Sequence, residues 1–448
     1  MMYSISFCFL FLFYYSIINL VDALAIPPIL PTNLLPLFRT PFKQVKKKTS
    51  PSSSSVTNST FTFKNTKSAS SSSNVLPLFN ADAFLYLIEI GIGPTQKFTV
   101  AIDTGSADTW VPSNKCPKEK CDLDKYDLST TNQNNNIEPF SVTYGSGTIK
   151  GEYRKETITI GNIVVHDQQF GAVSDVSGFT LLPEKDKNGN DQPSLDGLLG
   201  LGFPGLTGSD EGYDPVVISM YKQKLIQEPV FSIYLNERDA QDYAGEIIFG
   251  GIDQDKYTGS MGYIPLIQGK NKRGKTDYTH WAFRGGSIST QSNQKHSFKS
   301  SDVLIFDTGS TFTYFSKDII DSLIPTNLKN NINYNKSQNL YFCNCDLLHD
   351  TENSLQLTLP QTNSKTPLTI TIPVANLIVT DGTNDTNTQC VFGMVPLGES
   401  EVIDTTYGGR LFILGDTILR SLYLVFNFRE HTIGVAAAKN VGGTVSVN

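Results

Sequence analysis

Apolar and polar positions alternate in GEIIFGGID (residues 245–253) and LYLVFNF (residues 422–428), which predicts strands. Two stretches follow the helical period instead. DPVVISMYKQKL (residues 214–225) and SKDIIDSLI (residues 316–324) set apolar residues at i, i+3 and i+4 behind an Asp or Ser able to cap a short helix. A different pattern stands at Ala101 and Ile102, where an apolar run ends on Asp103 and continues as Thr104, Gly105 and Ser106. An unpaired carboxylate there is costly to keep charged, so the segment is either an ordinary turn, which favours Asp, Gly and Ser, or a site of acid chemistry.

The first residues read differently. Residues 5–21, ISFCFLFLFYYSIINLV, form one long apolar run, and Ala23 and Ala25 supply the small residues that a signal peptidase reads. Residues 1–25 are therefore expected to be a cleaved signal peptide. A signal anchor is the competing reading, because the run approaches the length of a membrane span and no Lys or Arg precedes it. No second apolar run of that length follows, so no membrane association is expected once the signal is removed.

Residues 26–74 hold Pro27, Pro28, Pro31 and Pro36, the basic stretch KQVKKK at residues 43–48, and a Ser/Thr-rich tract. Through residue 74 the chain carries seven Lys or Arg against one Asp, a net of +6, so with a chain total of −7 the remainder bears −13. A basic leader on an acidic body suits a propeptide that docks until it is removed. The acidic body would repel phosphates, which argues against nucleic acid as a partner.

At 448 residues the chain exceeds one ordinary core and suggests two domains with extra segments. Its 35 Gly and 22 Pro favour a loop-rich and strand-rich architecture. Six cysteines include Cys8 in the signal segment, so an odd five remain and at least one thiol lacks a partner within the chain. Neither C-x-x-C nor H-E-x-x-H occurs, so no zinc site and no metal is expected. Sequons at Asn58, Asn335 and Asn384 agree with a glycosylating, secretory route.

Repetition decides between turn and chemistry. VLIFDTGSTFTYF, from Val303, repeats VAIDTGSADTWVP, from Val100, and sets Asp307 in the context of Asp103, 204 residues later. At average composition Asp-Thr-Gly arises by chance roughly once in ten chains of this length, and two copies with matching apolar leaders far less often. Two similar lobes, each offering one carboxylate at a strand end, account for the pattern. Two carboxylates held close cannot both ionise, so one keeps a proton, the other stays charged, and the pair can act as acid and base on a trapped water. Gly105 and Gly309 let backbone approach the carboxylates. Thr104 and Thr308 are placed to bond across the interface, and Ser106 and Ser310 to donate to the outer carboxylate oxygens.

In these motifs the chain resembles the pepsin-like aspartic proteases, the fungal secreted ones among them, from about residue 80 to the end. Further matching stretches are YGSGT (residues 144–148), DTWVP with Trp110, DGLLGLG (residues 196–202) and FILGDTILRSLYLVFN (residues 412–427). The resemblance implies an all-β, bilobal fold of two related lobes with a few short helices, the lobes covering residues 75–262 and 263–448. It implies an aspartic endopeptidase with Asp103 and Asp307 as the catalytic pair and no cofactor. Tyr144, Gly145 and Ser146 would form a flap over substrate, with Trp110 behind Tyr144, and the two apolar-apolar-Gly stretches would cross the catalytic loops. Polypeptide substrates, the chain's own propeptide and pepstatin-type inhibitors would be its partners, and the enzyme would be a monomer. In the same light Cys116 is expected to pair with Cys121, and Cys390 with Cys343 or Cys345, Cys345 being favoured and Cys343 left over.

The chain also departs from that pattern. IGIGPTQKF is one residue short of the usual run, Ala107 and Asp108 replace the customary Ser and Asn, and Asn427 stands where an Asp is common. Asp108 thereby adds a carboxylate near the site. Ser146 lacks the acidic charge with which fungal relatives accept Lys on the acyl side, so cleavage between large apolar or aromatic residues at acidic pH is expected. A catalytically silent binding or inhibitor protein on the same fold is the alternative, although such relatives lose a catalytic Asp or the flap Tyr and neither is missing here. The expected address is extracellular, with a vacuolar or lysosomal lumen as the alternative.

Overall fold

The computed structural model describes residues 75–81, 85–130, 138–144, 147–178, 181, 195–236, 244–291, 294–362, 364–380, 389–397 and 403–447. The signal peptide and propeptide assigned to residues 1–74, Asn58 among them, lie outside the described residues, as do Gly145, Ser146 and Asn384. Strand makes up about 50% and helix about 12% of the structure, which is all-β and bilobal as the resemblance implies.

The repeat in sequence is a repeat in topology. Strand Gln96–Asp103 runs parallel to Gly197–Gly200, and strand Val303–Phe306 runs parallel to Gly409–Leu414. In each half the next strand touches that partner antiparallel at a single position, Trp110 opposite Leu198 in one and Tyr314 opposite Ile413 in the other. It then pairs in parallel with a further strand, Ile163–Ser177 or Met394–Leu397. Parallel strands inside a covered sheet must be apolar on both faces. Accordingly, every residue of Gly197–Gly200 and of Val303–Phe306 is buried.

A thirteen-stranded sheet joins distant parts of the chain. Val230–Leu235 pairs with Leu422–Asn427, which pairs with Thr432–Ala438, and that strand with Tyr257–Pro265. The alternation in GEIIFGGID and LYLVFNF marks real strands, Gly245–Phe249 and Leu422–Asn427, as predicted, and neither carries an exposed residue. Leu424 and Phe426 enter the main core, whereas Tyr423 and Val425 enter a second apolar cluster with Val230, Tyr234 and Ala436. Both faces of the sheet are therefore covered. Glu246, the polar position of its strand, is buried with its carboxylate 3.4 Å from Lys256 Nζ.

Helices occur at Val216–Lys222 and Lys317–Leu323, within the predicted stretches. Their expected caps are corrected: Pro215 and Ser316 occupy the N-cap positions, and neither makes a side-chain cap bond. The Asp214 carboxylate instead accepts from Lys222 Nζ at 2.6 Å. A cap contributes only about 1 kcal/mol. Burial of Val216, Val217 and Met220, and of Ile319, Ile320 and Leu323, outweighs it.

Disulfides link Cys116 to Cys121 and Cys345 to Cys390. Cys343 is a buried free thiol directly opposite Cys390 in the paired strands Leu340–Asn344 and Gln389–Phe392. Burial pushes that thiol up to about 12, so it stays protonated.

Buried ionisable groups make the stability of the fold depend on pH. Asp196 accepts from Thr99 N at 2.6 Å, and burial pushes its carboxyl up from 3.8 to about 7. His280 is fully buried, which pushes it down from 6.5 to about 4. The signs oppose. The stability contributed by neutral Asp196 is complete below about 4 and lost as pH rises through about 7. That of neutral His280 is complete above 6.5 and lost as pH falls through about 4. Burial likewise raises Asp108, Asp404 and Asp416, which side with Asp196, and lowers His296 and His431, which side with His280. Thermal unfolding followed between about pH 4 and 7 is expected to show a smaller loss of Tm in Asp196→Asn and a larger one in His280→Gln, by roughly 2–4 °C per kcal/mol. Unchanged slopes in both variants would show that these groups do not carry the pH response.

Candidate active site

Each Asp-Thr-Gly loop leaves its strand at the acid. Asp103 ends Gln96–Asp103, Asp307 directly follows Val303–Phe306, and both side chains are fully buried. Buried carboxylates need donors, and both loops supply the same pair. Gly105 N and Gly309 N donate to Asp103 Oδ1 and Asp307 Oδ1 at 2.8 and 2.9 Å. Ser106 Oγ donates to Asp103 Oδ2, and Ser310 Oγ to Asp307 Oδ2 at 2.7 Å.

Four buried bonds fasten one loop to the other. Thr104 N donates to Thr308 Oγ1 at 3.1 Å, and Thr308 N donates to Thr104 Oγ1 at 3.0 Å. Each hydroxyl then passes its own proton across the interface, Thr104 Oγ1 to Phe306 O at 2.9 Å and Thr308 Oγ1 to Ile102 O at 3.0 Å. Threonine fits because the position needs an acceptor and a donor on one short side chain. The result is contact between one loop and the other's acid. A Cβ on Gly105 would lie 2.5 Å from Asp307 Oδ1, so only glycine tolerates the approach.

The apolar-apolar-Gly stretches back these loops symmetrically. Leu201 N donates to Asp103 O at 2.8 Å and Gly202 N to Ser106 O at 2.7 Å, while Asp307 N donates to Leu414 O at 3.1 Å and Asp416 N to Ser310 O at 2.8 Å. A Cβ on Gly415 would lie 2.1 Å from Phe312 O, which explains that glycine. The second crossing also carries a carboxyl that the sequence reading missed. Asp416 is fully buried, and burial holds it well above the usual carboxylate range, with Arg420 opposing and Asp307 adding to the rise. Its signal in the sequence was an acid inside an apolar run, the same signal that marked Asp103.

Tyr144 ends the strand Pro139–Tyr144, and the chain returns along Gly147–Ile160. Trp110 Nε1 donates to Tyr144 OH at 2.7 Å. Asp108 is not an open carboxylate beside the pair. It is buried and accepts from Tyr153 OH at 2.9 Å, Tyr213 OH at 2.8 Å and Gly208 N at 2.7 Å. Nothing in the spacing of single tyrosines marks Tyr153 and Tyr213 in the sequence. Asn335 lies apart from this site, in a turn where its Oδ1 accepts from Ser337 and Gln338. Among the described residues, no three or more His, Cys, Asp or Glu gather to hold a metal ion, and no helix is long and apolar enough to cross a membrane.

Known proteins share this arrangement in sequence. The family model for eukaryotic aspartyl protease matches residues 85–438. Mucorpepsin of Rhizomucor pusillus is 27% identical over 373 residues, which cover 80% of each chain. Vacuolar protease A of Neurospora crassa is 29% identical over 385 residues, or 84% of each. Phytepsin of Hordeum vulgare is 37% identical over 187 residues, but these are 41% of this chain and only 35% of phytepsin. With the family model spanning both Asp-Thr-Gly loops and the strands that carry them, the chain belongs to the eukaryotic aspartyl protease family and is an aspartic endopeptidase.

Proposed function

We propose that the protein is a secreted acid endopeptidase made as a zymogen, which hydrolyses peptide bonds between large hydrophobic residues with a water activated between Asp103 and Asp307. The observation that carries this reading is the seating of the Gly105 backbone against the Asp307 carboxylate, with a Cβ position only 2.5 Å from Oδ1. Gly105 N also donates to Asp103 Oδ1, so both carboxylates flank one glycine; carboxylates held close share one proton, and the pair is competent when one member is neutral, a condition met in acid. The charged member takes a proton from the water as its oxygen attacks the peptide carbonyl. The neutral member donates to the developing oxyanion; on collapse the C–N bond breaks as the amine nitrogen takes one proton from the pair and a diol hydroxyl returns one to it, so the pair ends with its single proton and no covalent intermediate forms. Donors fixed on Oδ1 and Oδ2 of both acids hold them for this task.

Support for the remainder is chemical. The acidic body attracts the basic leader, and a lysine within residues 43–48 is a suitable partner for the paired acids before activation. The expected signal peptide and sequons, including Asn335, favour export; the relative named vacuolar protease A shares the chemistry, which makes an acidic vacuole the alternative address. Ser146, without charge, gives no purchase to a Lys side chain on the acyl side.

Asp103→Asn is expected to lower digestion of haemoglobin or casein at acidic pH by about 10²–10⁴-fold or more, and pepstatin to block the unmodified enzyme. Near-normal activity in Asp103→Asn would refute the paired-acid mechanism, whereas a folded unmodified protein that cuts neither substrate would favour the silent binding protein. Matched synthetic peptides with Phe or Lys on the acyl side of the cut bond are expected to differ in kcat/KM by about 10–200-fold in favour of Phe. Equal rates would exclude the assigned specificity.

A further inference from the structure

Asp108 lies five residues after Asp103 and two before Trp110. One short stretch thus carries a candidate catalytic acid, the tryptophan that holds Tyr144, and a buried carboxylate between them. That carboxylate gathers donors from two further parts of the lobe. Tyr153 belongs to Gly147–Ile160, the return strand of the flap hairpin, while Tyr213 and Gly208 belong to the 207–213 segment. The same segment grips the start of the hairpin, because Ser209 Oγ and Asp210 N donate to the Glu138 carboxylate at 2.9 and 2.6 Å. The Tyr153 ring packs edge-on against Phe140 of the opposite hairpin strand and against Tyr213, with centroids at 5.1 and 5.8 Å.

We propose that Asp108 is a positioning residue that ties the flap hairpin and the 207–213 segment to the Asp103 loop, so that substrate meets the flap at a fixed height above the acids. This rests on the endopeptidase reading given above. The requirement for an acid is stereochemical. Three donors converge on two oxygens, and an amide in the same place would set an N–H either against Gly208 N–H, which cannot accept, or against the tyrosine hydroxyls, which would have to turn round to accept it. Protonation has a milder effect of the same kind, since a neutral carboxyl becomes a donor, one tyrosine must turn its hydroxyl to accept, and the charge that strengthened all three bonds is lost. The charged and titratable groups facing Asp108 are Tyr153, Tyr213 and Lys272, with Glu138 acting on Tyr153. Burial favours the neutral carboxyl, and Gly208 N–H, both tyrosines and Lys272 favour the charged one. Acidification through this ionisation therefore slackens the hairpin and weakens substrate binding.

The test is steady-state kinetics from about pH 2.5 to 6.5 for the unmodified enzyme, Asp108→Asn and Tyr213→Phe, with pepstatin affinity measured in parallel by tryptophan fluorescence. Losing one charge-assisted bond is expected to raise KM about tenfold in Asp108→Asn while kcat stays within about twofold. The rise of KM on the acid side should vanish in Asp108→Asn and shift in Tyr213→Phe, and pepstatin affinity should fall in step. Should Asp108→Asn not fold, Tyr213→Phe decides alone. Variants that lose thermal stability but keep the unmodified KM, its pH dependence and pepstatin affinity would overturn the proposal. Failure of the unmodified enzyme to cut peptides while it still binds pepstatin would count against the endopeptidase reading instead, and the affinity comparison would continue to judge Asp108.

Discussion

The reciprocal bonds between Thr104 and Thr308 are the constraint on which the site depends. Each hydroxyl accepts from the opposite backbone and donates to the opposite strand, so neither loop can shift without breaking all four bonds in a buried place. An unmet buried partner costs about 1–3 kcal/mol. That penalty holds Gly105 against Asp307 and fixes the separation of the acids more firmly than any contact between the acids could. Carboxylates do not draw one another together; the backbone around them must.

Keeping acids indoors also shapes the rest of the fold. Asp103, Asp108, Asp196, Asp307 and Asp416 are all buried, and each sits where the chain supplies backbone N–H groups, hydroxyls or a nearby guanidinium. Burial raises the pKa of Asp108, Asp196 and Asp416, which makes the neutral form the comfortable one. Each carboxyl kept neutral by burial becomes a liability as pH rises, because unfolding lets it ionise. Raised carboxyls such as Asp196 and Asp416 therefore favour acid, the range in which the proposed acid pair would hold one neutral member.

Much of this was legible in the residues, for a physical reason. A strand feeding an acid followed by Thr, Gly and Ser encodes its local geometry almost completely, and repetition of that unit announces two equivalent halves. Trp110 and Tyr144 were readable for a different reason, since the family resemblance links them. The parts that escaped depend on pairing across long distances. Tyr153 and Tyr213 meet Asp108 from 45 and 105 residues away, and no local pattern marks either as its partner. Asp108 itself read only as an added carboxylate near the site, because sequence shows proximity along the chain but not enclosure. The alternation in LYLVFNF likewise predicted a strand but could not show that a second apolar cluster covers its other face.

Symmetry built the acid pair, and the two halves differ around it. In the first half the strand parallel to Trp110–Pro112 is 15 residues long and, with its 14-residue neighbour Gly147–Ile160, extends into the hairpin that bears Tyr144. In the second half the strand parallel to Thr313–Ser316 is described over Met394–Leu397. The position that holds Trp110 in one half holds Tyr314 in the other. The two acids thus enter through matched loops and receive matched donors, and among the described residues the Asp103 side adds a hairpin tethered through tryptophan, tyrosines and a buried carboxylate.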